Sequence, residues 1–244
     1  AGSSGNIGKY LFKNLKDKHA LTTISRSGLN ASDIRVELDD LAEIKNQLKN
    51  IERPDCLIFL VGRAHKKGKK SENLKYHKDN YQSLINLLSA LNDLKKNPDK
   101  IIFTSTISVY GENYNNSIYD ENYLPNPASP YALTKHESEK YLQENFIKKS
   151  WILRLAPVYS KDFMRNIDRR TKLLTKFHFK VGSGNKNFSL CDIENIQIVI
   201  DGILNNSIPA GIYNVSDQPK YSYKFLLNYL NSKFVIKIPT LIIK

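Results

Sequence analysis

The residues of this chain able to do chemistry fall in two runs. An apolar stretch, Ile101-Ile102-Phe103, reads as a buried strand and ends in Thr104-Ser105-Thr106, so a hydroxyl is delivered to a strand end. Twenty-five residues beyond Thr106, Ser129-Pro130-Tyr131-Ala132-Leu133-Thr134-Lys135 opens a helical pattern with Tyr131 and Lys135 four apart. Hydroxyl, phenol and ammonium together make a proton-transfer set. A free tyrosine titrates near ~10 and must fall by roughly three units, about 4 kcal/mol, to exchange protons near neutrality. Residues at i and i+4 share a helix face, so Lys135 is expected beside Tyr131, favouring the phenolate.

Spacing alone carries little. With 14 Tyr and 29 Lys in 244 residues, chance supplies 14 × 29/244, or about 1.7, Tyr-x-x-x-Lys matches, and the chain holds two. The second, Tyr229 with Lys233, has no strand-borne hydroxyl ahead of it and reads as an ordinary helix face. Tyr131 is set apart by the elements that must position it.

These begin at the first residues. Gly2-Ser3-Ser4-Gly5-Asn6-Ile7-Gly8 is a G-x-x-G-x-x-G turn leading into a helix with Ile7, Leu11 and Leu15 on one face. Such a turn lets backbone approach a pyrophosphate, which rests on the helix N-terminus and its dipole; by itself it is equally a plain tight turn. Strands are then expected at 20–25, 56–61, 101–105 and 151–155, and helices at 41–48, 71–94 and 131–147. This alternation predicts an α/β fold, a doubly wound parallel sheet with helices on both faces. The glycine turn should follow a central strand that the sequence does not show, and the last residues, Phe234 to Lys244, form an apolar run without a polar tail. The expectation is a chain incomplete at both ends.

As a set these segments, with Val109-Tyr110-Gly111 and Leu153-Arg154-Leu155-Ala156-Pro157-Val158-Tyr159, resemble the extended short-chain dehydrogenase/reductases. Within them the chain is similar to the NAD(P)-dependent epimerase/dehydratase branch that includes UDP-galactose 4-epimerase and related nucleotide-sugar enzymes. The resemblance implies a Rossmann-type NAD(P)-binding domain over 1–158 and mainly a substrate lobe over 159–244, with 211–217 returning to the sheet. It implies catalytic roles for Tyr131, Lys135 and Thr106. It also implies cofactor contacts from Gly2, Gly5, Asn6, Ile7, Gly8, Arg26, Glu37, Leu38, Val61, Gly62, Asn80, Thr104, Tyr131, Lys135, Pro157 and Val158, and substrate contacts from Thr106, Asn166 and Lys186. Phe188 stands where the nucleotide-sugar enzymes carry an Arg on the diphosphate. No acid follows the second strand, where Ser25-Arg26-Ser27 stands, and Arg26 suits a 2′-phosphate, so NADP is favoured over NAD.

Epimerisation and reduction of a keto sugar are both compatible with this set. Dehydration would need an added acid or base beside Thr106, and Ile107 follows it. A non-catalytic NAD(P)-sensing or nucleic-acid-associated member of the fold is the competing class. The net charge of +13 bears on it. The densest cluster, His65-Lys66-Lys67-Gly68-Lys69-Lys70, lacks an interleaved aromatic for base stacking, so it reads first as a solvated loop and second as a rim attracting an anionic substrate. Nucleic acid is disfavoured. Cys56 and Cys191 read as reduced thiols of a cytoplasmic protein, the five His show no metal-ligand spacing, and no apolar run is long enough to span a membrane. A homodimer through helices 71–94 and 131–147 is a further implication of the resemblance.

Overall fold

The computed structural model describes residues 1–28, 33–63, 72–111, 118–173, 177–218 and 220–240, and the lysine cluster at 65–70 lies outside them. The chain divides into two compact units. One comprises Ala1–Arg154 with Val199–Asn214, the other Leu155–Ile198 with Val215–Lys244.

The first unit opens on α1 (Asn6–Leu15), whose apolar face buries Leu11 and Leu15. A short parallel pair follows, β1 (Ile24–Ser25) with β2 (Ile34–Arg35), and then α2 (Leu41–Leu48), capped by Asp40, whose carboxylate accepts from the Ala42 and Glu43 amides. The central sheet contains β3 (Cys56–Phe59), β4 (Lys100–Thr106), β5 (Ser150–Leu155) and β10 (Gly211–Val215), in the order β10-β5-β4-β3. β3 and β4 run parallel with Phe59 opposite Phe103. Ala1 lies against the outer edge of β3, donating from its nitrogen to Ile58 O at 2.7 Å and accepting from Leu60 N at 3.0 Å. Gly2 N in turn donates to Ile24 O of β1 at 2.8 Å. This parallel sheet with flanking helices is the α/β fold of Rossmann type expected from the sequence.

Helices cover the sheet because their apolar stripes match its faces. Leu84, Leu87, Leu88 and Leu91 of α4 (Ser83–Asp93) pack with Ile44 and Leu48 of α2, Phe59, Ile101, Phe103 and Ile152 into one core. The helix expected over 71–94 is not uniform: α3 (Asn73–Tyr76) passes into a π-helical turn, His77–Gln82, before α4. Ser83 Oγ donates back to the Lys78 and Asp79 carbonyls at 3.0 and 2.8 Å, satisfying acceptors within the widened turn. Such π turns are frequent where a functional side chain must be re-aimed, and this one carries Asn80.

Helix α5 (Pro130–Phe146) starts where sequence says it should, with Ser129 Oγ accepting from the Ala132 amide and Pro130 in the first turn. Its buried side is polar: Thr134, Lys135, Ser138 and Glu139 face inward beside Ala132 and Leu142. A helix that buries these groups must satisfy each of them.

The second unit is built from short pairings. β6 (Val158–Tyr159) runs parallel to β9 (Cys191–Asp192), β7 (His178–Val181) parallel to β12 (Val235–Ile238), and β8 (Asn187–Phe188) antiparallel to β11 (Tyr221–Ser222). Helices α6 (Arg165–Thr171) and α8 (Tyr223–Tyr229) complete it, and α7 (Ile193–Leu204) leads back to the first unit. Asp217 pins these pieces together. One carboxylate oxygen accepts from Asp192 N and Asn195 Nδ2, both at 2.7 Å, and the other from the Tyr159 and Tyr221 hydroxyls at 2.9 and 3.0 Å. No helix among the described residues is long and apolar enough to cross a membrane.

Candidate active site

Lys135 is fixed by the ends of two strands. Its Nζ donates to the Val61 carbonyl at 3.1 Å and the Thr104 carbonyl at 2.9 Å, and stands 4.6 Å from the centre of the Phe103 ring. Gly62 makes this possible, because a Cβ there would come within 3.1 Å of Nζ and 3.2 Å of Cε. Burial drives the ammonium down to about 7, with the Glu139 carboxylate opposing the fall.

Tyr131, one turn earlier on α5, has the Thr106 side chain beside its phenol. Burial pushes the phenol up to about 12, the Thr106 hydroxyl opposes the rise, and Tyr76 adds to it. The expectation that the ammonium would lie against the phenol is therefore met only in part. The four-residue spacing puts both on one face, but the long lysine stem carries Nζ to the two carbonyls. Thr106 Oγ1 also accepts from Ser108 N at 3.2 Å, which orients the hydroxyl as β4 turns into a 3-10 helix, Ile107–Tyr110.

Asn80 is fully buried in the π turn. Its Oδ1 accepts from Arg63 N at 2.6 Å, pinning the backbone just after Gly62, and its Nδ2 donates to Thr134 Oγ1 at 3.0 Å. Thr104 Oγ1 donates to Phe59 O at 3.2 Å. Lys135 thus ties Val61 to Thr104, and Asn80 ties Arg63 to Thr134, around the ends of β3 and β4.

Beside them opens a cleft of about 810 Å³ lined by Gly2, Gly5, Arg26, Glu37, Leu38, Val61 and Gly62. The glycine turn is tight because Gly8 passes over it: a Cβ on Gly8 would lie 2.4 Å from Gly2 O and 2.6 Å from Ser3 O. Gly5 caps α1 without a side chain, so the amides of Asn6, Ile7 and Gly8 in the first turn have no side-chain acceptor over them. This is the arrangement that takes a phosphate, and the residues present fit a dinucleotide. The cleft also carries charge of both signs, with Lys78 paired to Asp39 at 2.6 Å and Arg63 to Asp79 at 2.6 Å.

Other expected residues lie in the second unit. Pro157 precedes β6, Val158 lies within it, and Asn166 on α6 donates from Nδ2 to the Val158 carbonyl at 2.7 Å. Lys186 is exposed, while Phe188 packs edge-on against Tyr223 at 4.7 Å between ring centres. Both cysteines are free, and burial pushes each thiol up to about 12. No group of three potential metal ligands occurs among the described residues.

Sequence reading missed the buried charges beneath the site. Glu139 is bracketed by Arg154, whose Nη2 donates to Oε2 at 2.8 Å and whose Nε reaches Oε1 at 3.2 Å. Ser105 Oγ donates to the same carboxylate. The available signal was the run Tyr131, Lys135, Glu139 at four-residue steps on a helix with no apolar stripe.

Comparison with known proteins gives the family and the fold. Residues 1–215 match the model of the NAD dependent epimerase/dehydratase family. An Escherichia coli O157:H7 protein, N-acetyl-alpha-D-glucosaminyl-diphospho-ditrans,octacis-undecaprenol 4-epimerase, is 26% identical over 250 residues, covering 98% of this chain and 73% of its own length. The UDP-glucose 4-epimerase of Thermus thermophilus in complex with NAD has a TM-score of 0.76 at 19% identity, over 98% of this chain and 85% of that one. The dTDP-4-dehydrorhamnose reductase of Bacillus anthracis str. Ames, in complex with NADP, has a TM-score of 0.77 at 20% identity, over 98% and 83%. With its glycine turn, its strand-end hydroxyls and a family match over most of its length, the chain belongs to the NAD dependent epimerase/dehydratase family.

Proposed function

We infer that the protein interconverts a hydroxyl and a keto group on a diphosphate-linked sugar, with NAD(P) as the redox partner, acting as an epimerase or a ketoreductase. The observation that carries this reading is the seat of Lys135 on the Val61 and Thr104 carbonyls, one helical turn from Tyr131 with the Thr106 hydroxyl beside it, where Val61 and Gly62 line the dinucleotide-sized cleft. Bound NAD(P) would supply the hydride acceptor and donor.

The chain's own groups do the rest. Thr106 orients the sugar oxygen and Tyr131 exchanges its proton with it. A phenol raised to about 12 is a proton donor at neutral pH, which suits reduction of a keto group. In the oxidising direction the same group must become a phenolate, and a fully charged Lys135 at the ribose favours that. Lys135, drawn down to about 7, is poised so that its charge responds to what binds beside it. Asn80 and Gly62 keep the strand ends at the spacing this needs.

Arg26 lines the cleft after β1, where a 2′-phosphate would lie, which supports NADP over NAD. Nucleotide-linked sugars are the first substrate class to test, given the UDP-glucose and dTDP-sugar enzymes of the same fold. A polyprenyl diphosphate carrier is the second. It is favoured by the undecaprenol-linked substrate named for the Escherichia coli relative.

The test incubates the protein with NAD or NADP and either UDP- and dTDP-linked hexoses or undecaprenyl diphosphate-linked N-acetylglucosamine. Proton NMR then follows inversion at C4 or reduction of a 4-keto sugar. Turnover on one arm assigns the carrier, and Arg26→Glu should lower the preference for NADPH over NADH at least about tenfold. Failure of both dinucleotides to bind would refute the reading.

A further inference from the structure

Charged groups buried under the reactive residues need a reason, because an ion pair taken out of water is seldom favoured over apolar packing of the same volume. Glu139 is fully buried and Arg154 is 2% exposed. Neither is placed to touch substrate or cofactor in the reaction proposed above. Their bonds run instead to each element that carries a reactive group.

On one side Glu139 belongs to α5, one turn beyond Lys135 and two beyond Tyr131. Its carboxylate accepts from Ser105 Oγ, and Ser105 sits in β4 between Thr104, whose carbonyl holds Lys135, and Thr106, whose side chain stands beside Tyr131. On the other side Arg154 Nη1 donates to the Tyr110 hydroxyl at 2.9 Å, with the guanidinium 4.9 Å from the ring centre. Tyr110 OH donates onward to Asn214 Oδ1 of β10 at 2.8 Å. Tyr110 closes the 3-10 turn that begins at Thr106, and its ring is stacked on Tyr119 at 5.3 Å. The Glu139–Arg154 pair thus ties the helix of Tyr131 and Lys135 to the strand and turn that present Thr106.

The pair is asymmetric towards Lys135. The charged and titratable groups facing Glu139 are Arg154 from β5, Ser105 from β4 and His136 on its own helix, whose Nδ1 lies 3.5 Å from Oε2. Burial raises the Glu139 carboxyl, but its bonds to His136, Arg154 and Ser105 hold it below the ordinary carboxylate value, so it stays ionised. Facing Lys135 are two neutral carbonyls, the Phe103 ring and the Glu139 charge.

We propose that Glu139, clamped by Arg154, is a positioning residue that keeps Lys135 charged at its strand-end seat and keeps the Tyr131–Thr106 contact aligned. This rests on the assignment of Lys135 to the dinucleotide ribose. Removing the carboxylate charge withdraws the favourable ionic partner that a desolvated ammonium has among the described residues, so Lys135 gives up its proton at lower pH.

The experiment follows the affinity for NADH and NADPH by reduced-dinucleotide fluorescence from pH 5.5 to 9.5. It uses the wild type, Lys135→Met, Glu139→Gln and the double variant Glu139→Gln with Arg154→Met, each checked for cooperative unfolding. The wild type should show an inflection that Lys135→Met abolishes. Glu139→Gln should move it to lower pH by about one unit, the shift expected from losing an opposite charge nearby. The double variant, which leaves no orphaned buried charge, should move it in the same direction by less, so the test survives if Glu139→Gln alone does not fold. A folded Glu139→Gln or double variant that keeps the wild-type inflection would overturn the proposal. An inflection that persists in Lys135→Met would instead refute the role given to Lys135 itself.

Discussion

Replacing Gly8 by alanine tests how tightly the glycine turn is built. The new Cβ would sit 2.4 Å from Gly2 O, 2.6 Å from Ser3 O and 2.7 Å from Ser3 Cα, all backbone atoms. Contacts are optimal near ~3.5 Å, so relieving the overlap requires a displacement of about 1 Å between α1 and the turn. The turn has little room to yield: Gly2 N is bonded to Ile24 O at 2.8 Å, and Gly2 O accepts from Gly5 N at 3.2 Å. Overpacking of this kind costs about 1–3 kcal/mol. Alanine returns up to ~1 kcal/mol of helix propensity in α1, so the net loss should be about 1–2 kcal/mol. Because the displaced amides are those proposed to hold the phosphates, affinity should fall about 5- to 30-fold, at ~1.4 kcal/mol per decade. Urea unfolding and fluorescence titration with NADH and NADPH measure the two effects. Gly5→Ala serves as the stability control, since its Cβ would meet Gly2 O at 3.4 Å, an ordinary contact. A Gly8→Ala variant as stable as wild type and undiminished in dinucleotide affinity would refute this account of the turn.

Two further outcomes follow from the buried groups. Lys135 is lowered to about 7 from an ordinary 10.5, so the unfolded chain binds its proton more tightly and stability contributed by this site should rise as pH increases from 7 towards 10.5. Tyr131, raised to about 12, acts oppositely above pH 10, so the difference in urea midpoint between wild type and Lys135→Met should narrow or reverse in sign across pH 7 to 10; a difference independent of pH would contradict the burial argument. In the second unit, Asp217→Ala leaves the Asp192 and Asn195 donors and two tyrosine hydroxyls without their shared acceptor, and should destabilise by about 3 kcal/mol in denaturant melts. A loss below ~0.5 kcal/mol would show that the carboxylate does not pin the unit.

The parts of the fold set by local pattern are legible in the order of residues alone. α2 spans Leu41–Leu48, the range expected from the sequence, and α5 begins at Pro130, one residue before its expected start. β3 and β4 are continuous apolar runs because helices cover both faces of the sheet. Less legible is what depends on contacts distant in sequence. β1 is only Ile24–Ser25 rather than 20–25, since its parallel partner β2 is equally short. The π turn at His77–Gln82 is invisible to periodicity: one extra residue per turn barely disturbs an apolar stripe, yet it aims Asn80 at Arg63 N and Thr134.

At the candidate site, residue type and spacing single out Tyr131, Thr106 and Lys135. Their mutual arrangement does not follow from either, because the seat of a four-carbon stem is decided by which carbonyls lie within reach. Glu139 looks like a surface residue in a helix rich in Lys and Glu. Only Arg154, fifteen residues later on β5, makes it a buried one.

The central claim is that Tyr131 moves the substrate proton. Its most direct measurement is single-turnover reduction of a 4-keto sugar nucleotide by the NADPH- or NADH-loaded enzyme, wild type against Tyr131→Phe, with dinucleotide affinity determined on the same samples. The account predicts a rate lower by about 10²–10⁴ with affinity nearly unchanged. A Tyr131→Phe enzyme that reduces the sugar at the wild-type rate would contradict it.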